Sequence, residues 1–102
     1  MRRNKRLTLE RKGWRFGTTK EFLGLSDEEA TYVELRLRLA DSLKNRRKRQ
    51  NLSQTALAKL IQSSQSRVAK MEAGDPSVSV DLLIRSLIAL GASSRELAKA
   101  IA

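Results

Sequence analysis

Gln65, Ser66 and Arg67 are three consecutive side chains with hydrogen-bonding groups and no acid among them, and they follow Ser64, a residue suited to cap a helix. On the first turn of a helix such a triplet can read base edges. A glutamine amide pairs with adenine, a guanidinium with guanine, and a hydroxyl serves either. Lys70, one turn further on, suits a phosphate. A capped helix start at Ser64 also aims backbone amides at phosphate oxygens. Other chemistries lack their tools, because the 102 residues contain no Cys and no His. Disulfides, thiolate nucleophiles, imidazole bases and the usual zinc ligands are thereby removed together. The remaining serines and carboxylates form no nucleophile–base pattern, so no enzymatic activity, metal or cofactor is expected.

The stretch Leu52 to Gly74 reads as the two helices that would position these residues. Ser53 caps the first, and Leu57, Ala58 and Ile61 mark its buried face. Ala58 is small enough for a second helix to cross closely, where a larger residue would overpack the contact. After Gln62-Ser63, Ser64 caps the second helix, Val68 and Met71 face inward, and Gly74 ends it. Glu72 is the odd anion on this stretch. Its expected role is structural, holding the loop at Gly74 or a basic partner on a neighbouring helix.

Around this pair the pattern is helical throughout residues 26–102. Ser26-Asp27-Glu28-Glu29 is a capping box with acids at the positive end of a helix. A long helix follows to about Gln50, with Val33, Leu37, Ala40 and Leu43 on one stripe widened by Leu35 and Leu39. Its last turn, Lys44 to Arg49, carries five cations that complement the negative helix end and set Arg47 and Arg49 beside the helix pair as candidate DNA contacts. Asn51 is the stop. Beyond Asp75-Pro76, Ser77 or Ser79 caps a helix through Leu82, Leu83, Leu87, Ile88 and Leu90, which Gly91 ends. Ser93 and Glu96 then offer a second capping box for a last helix with Leu97 and Ile101 inward.

Residues 1–25 differ in character. The first twelve are rich in Lys and Arg and read either as an arm that follows a DNA backbone or enters a minor groove, or as a solubilising terminus. Gly13 to Gly17 fits a short strand, and Lys20 to Leu23 a short helical turn. Trp14, Phe16 and Phe22 are better explained as a satellite core than as a ligand site. The helical pattern predicts an all-α fold, a hydrophobic content of 40% supports one small domain, and the net charge of +10 favours a polyanionic partner and salt-dependent binding. No signal-peptide core or membrane-length apolar run occurs in the sequence, so a cytoplasmic location is expected.

Leu52-Ser53-Gln54, Leu57-Ala58, Val68 and Glu72-Ala73-Gly74 together resemble the lambda-repressor/Cro, or XRE, family of helix-turn-helix proteins. The resemblance implies a five-helix lambda-repressor-like domain that binds double-stranded DNA. It also implies that Gln65 and Ser66 contact bases, while Gln54 bonds phosphate and braces its counterpart on the recognition helix. One departure stands out: the family usually has glycine in the turn followed by a hydrophobe, where this chain has Gln62 and Ser63. If that turn requires positive φ, Gln62 carries a steric cost that glycine avoids.

A narrower likeness rests on Gly13-Trp14 to Gly17, Glu21-Phe22-Leu23-Gly24-Leu25-Ser26 and the run Ser63 to Ser79. These segments are similar to small XRE-type proteins of toxin–antitoxin and phage-related operons, including HigA-type antitoxins. That similarity implies a bacterial autorepressor at the nucleoid, a homodimer on a palindromic operator, with a small toxin as a further partner. The alternative is an XRE-fold protein-interaction adaptor, which would more often expose acids or apolar residues between Gln65 and Lys70.

Overall fold

The computed structural model describes residues 26–102, and the arm, the strand at 13–17 and the turn at 20–23 lie outside the described residues. The described residues fall into two units that divide between Glu34 and Leu35. Among the described residues five helices follow one another: α1 Asp27–Arg49, α2 Gln54–Leu60, α3 Gln65–Glu72, α4 Val80–Ala89 and α5 Ser94–Ile101. There is no strand among the described residues, so the all-α expectation holds. None of the described helices is long and apolar enough to cross a membrane.

Each helix opens on a serine, whose hydroxyl replaces an intrahelical acceptor for one of the unpaired first-turn amides. Ser26 Oγ accepts from the amide of Glu29 at 3.1 Å while the Ser26 amide donates to Glu29 Oε1 at 2.9 Å, the expected reciprocal box. Ser53, Ser64 and Ser79 accept from the amides of Ala56, Arg67 and Leu82. Ser93 and Glu96 repeat the reciprocal arrangement at α5.

Four helices also close alike. The chain turns left-handed at Asn51, Gln62, Gly74 and Gly91, with φ of 57°, 55°, 73° and 93°. At each, that residue's amide reaches the carbonyl three back, and the next amide reaches the carbonyl five back, as in Gln62 to Lys59 and Ser63 to Ala58. Gln62 therefore does occupy the left-handed conformation that the missing glycine would have eased. At Gly74 the need for glycine is double, since a Cβ there would lie 2.6 Å from Leu37 Cδ2.

The core of the second unit is one cluster. Leu39 and Leu43 of α1, Leu57 and Ala58 of α2, Val68 and Met71 of α3, and Leu83 and Leu87 of α4 meet there, joined by Val78, Leu90 and Ala92. Ile101, expected inward, stands outside it, and so does Ile88. Ile88 is 54% exposed because Leu83, Leu87 and Leu90 take the inward stripe of the α4 segment, and a residue one position after Leu87 is rotated about 100° from it. Ile101 is 41% exposed; Leu97 makes the α5 contact with the core, and Ile101 lies a further turn along.

Candidate nucleic-acid interface

Helices α2 and α3 pack directly on each other, with Leu57 and Ala58 of one and Val68 and Met71 of the other buried. Burying those faces leaves the opposite side of α3 outward. Ser64, Gln65, Ser66, Arg67 and Lys70 are all exposed, so the five α3 candidates share an accessible stretch. Gln54, at the first position of α2, is half-buried beside them. Its Oε1 accepts a hydrogen bond from Gln65 Nε2 at 2.7 Å, so the two helix starts are tied through their glutamine side chains.

This bond is the outer end of a longer chain of contacts. Gln54 Nε2 donates to Glu72 Oε1 at 3.1 Å. Arg47 grips both oxygens of the same carboxylate, Nε to Oε2 at 2.5 Å and Nη2 to Oε1 at 2.9 Å, and its Nη1 donates to the Leu52 carbonyl at 2.7 Å. Glu72 thus has the structural role expected of it, with Arg47 of α1 as the basic partner. Its hydrogen bonds hold the Arg47 guanidinium above its ordinary pKa, outweighing the opposite pull of burial.

Arg47 corrects an expectation. Grouped with Arg49 as a DNA contact, it is instead 8% exposed with its donors directed inward. The reason is its register: Leu39, Leu43 and Arg47 recur every four residues on the buried face of α1. That spacing was the available signal. Arg46 is also engaged, pairing with Glu96 at 3.1 Å, while Lys48 and Arg49 remain exposed. What the linear sequence did not reveal was the link from Gln54 to Glu72, which depends on how α2 crosses α3.

Among the described residues no group of His, Cys, Asp and Glu could hold a metal ion. The arrangement is a set of donors and cations on a capped helix, able to bond base edges and phosphates. No match was found among curated proteins or among solved structures. A family model of helix-turn-helix proteins does match, over residues 43–97, from Leu43 near the end of α1 through α2, α3 and α4 to Leu97. With more than half of its length matched, the chain belongs to the XRE-type, lambda-repressor-like helix-turn-helix family, whose domain binds DNA and regulates transcription.

Proposed function

We propose that the protein is a sequence-specific repressor that binds a palindromic operator as a homodimer and controls its own transcription unit. The observation that carries the reading is the bond between Gln65 and Gln54, which fixes a base-reading amide in one orientation beside exposed Ser66 and Arg67. A side chain held in this way loses less rotamer freedom on binding than one free to turn. Lys70 and Arg49 would meet phosphates, with the α3 start at Ser64 directed at the backbone as well. An adaptor reading has less support, since no residue from Gln65 to Lys70 is acidic and the exposed ones are polar or cationic.

The dimer follows from footprint. An eight-residue helix is about 12 Å long, and its first turn spans only a few base pairs, too few to specify a site alone. An antitoxin role rests on the likeness of Gly13 to Ser26 and Ser63 to Ser79 to HigA-type proteins. A small toxin encoded beside this chain would be its second partner, and co-purification of the two products tests that role.

Selection from a randomised duplex library tests the repressor reading: an inverted repeat should be enriched, and no enrichment contradicts it. On the selected duplex Gln65→Ala should cost about 1–3 kcal/mol and relax one base pair per half-site. Equal loss on random DNA would remove the base-reading role. Sedimentation at micromolar concentration should show a dimer on that duplex.

A further inference from the structure

The order of donors and acceptors along Arg47, Glu72, Gln54 and Gln65 has a direction. A carboxylate gripped by two N–H groups of Arg47 can only accept from its other neighbour. Gln54 must therefore turn its nitrogen toward Glu72 and its oxygen toward Gln65, and Gln65 must answer that oxygen with an N–H. Gln65 keeps its carbonyl oxygen and one N–H for an outside partner. Adenine offers the complement of one acceptor and one donor in the major groove, through N6–H and N7. Guanine offers two acceptors there, O6 and N7. With the Gln54 amide reversed, Gln65 would spend its oxygen inward and present only N–H groups, the complement of guanine.

We infer that Glu72 is a specificity-determining positioning residue: by fixing the direction of the Gln54–Gln65 pair, it sets a preference for adenine over guanine at the base pair that Gln65 faces. Its side chain is 3% exposed, so it acts through Gln54 rather than by touching DNA. The inference rests on the base-reading role proposed for Gln65. It adds that the identity of the base is decided two side chains away, by a residue whose only relevant property is that it cannot donate. Glu72→Gln supplies an N–H as well as an oxygen at that point, so either direction of the pair becomes available.

The test compares affinities for two duplexes: the one the wild-type protein selects from a randomised library, and its variant with A·T changed to G·C at the position where Gln65→Ala relaxes preference. The wild-type protein should favour adenine on the order of tenfold, as a good bidentate contact does. In Glu72→Gln that ratio should collapse towards the value in Gln65→Ala. Gln54→Met, which leaves the Arg47–Glu72 pair in place and cuts the link to Gln65, should collapse it likewise. If Gln54→Met weakens both duplexes equally and keeps the ratio, Gln54 is a phosphate contact only and the inference fails, whether or not Glu72→Gln folds. A folded Glu72→Gln with the wild-type ratio overturns the part assigned to Glu72. A wild-type preference for guanine overturns the direction of the pair, and no effect of Gln65→Ala on any base pair overturns instead the reading on which the inference stands.

Discussion

Arg47 and Glu72 are an ion pair with side chains 10% and 3% exposed, and at that depth the two charges cost much of what their attraction returns. Removing one partner is a different matter, because the survivor keeps its burial and loses its compensation. Arg47→Met should therefore destabilise the protein by about 3–5 kcal/mol in chemical denaturation. Adding Glu72→Leu should recover most of that loss, since apolar residues of similar volume satisfy a buried site that no longer holds a charge. A double variant as unstable as the single one would show that the bond to the Leu52 carbonyl, and not the stranded carboxylate, dominates. The recovered variant is also expected to bind DNA with less discrimination, because Gln54 has lost the acceptor that orients it.

At the scale of helices, the left-handed closures give two substitutions of opposite sign. Gln62 holds φ of 55° without being glycine, and the Cβ clash of that region costs about 1–2 kcal/mol, of which glycine's greater freedom in the unfolded chain gives back about 0.5–1. Gln62→Gly should thus stabilise by about 0.5–1 kcal/mol, and Gly74→Ala should destabilise by about 1–2 kcal/mol through the same net φ penalty plus the displacement of the Leu37 side-chain tip. Thermal melts of both variants check the pair, and a destabilised Gln62→Gly would show that the glutamine side chain makes a compensating contact.

Acid should act on the α5 start and on the loop before α4 as well. The Ser93 amide and Arg46 hold the Glu96 carboxyl below its ordinary value, and the hydroxyl and amide of Ser77 do the same for Asp75. A depressed carboxyl binds fewer protons folded than unfolded, so its contribution is present above its ordinary value, 4.5 for Glu96 and 3.8 for Asp75, and is lost as pH falls through the lower folded value. Glu96→Gln should reduce stability at neutral pH and flatten the acid limb of a melting-temperature profile; an unchanged limb would show the acid loss lies elsewhere.

These elements were largely legible because they are local: serine before each helix, a turn residue after it, and a 3.6-residue apolar period between. Ile88 was not, since a run of Leu and Ile leaves two faces of α4 apolar and only the packing partners choose between them. The orientation of Gln54 was not either, as it depends on a residue eighteen positions away on another helix.

For the whole molecule the governing quantity is charge. Of its 21 Lys and Arg, α1 and α3 present Lys48, Arg49, Arg67 and Lys70 as exposed cations near the sequence segments assigned to DNA, while Arg46 and Arg47 are paired with acids. Each phosphate neutralised contributes about 0.9 to the slope of log affinity against log salt, so these four account for a slope of about 3–4 per protomer. Residues 1–12 contribute six further cations and one acid, half of the net charge of +10. If that segment lies along phosphates, deleting it should lower the slope by more than about 1 per protomer and weaken binding to specific and random duplexes alike. The preference for the selected sequence should survive the deletion, because base edges are read by α3. An unchanged slope would assign the segment to solubility, and a lost preference would place base contacts in it, as an arm inserted in the minor groove would make. Titrations of the 102-residue and shortened chains at several salt concentrations separate the three.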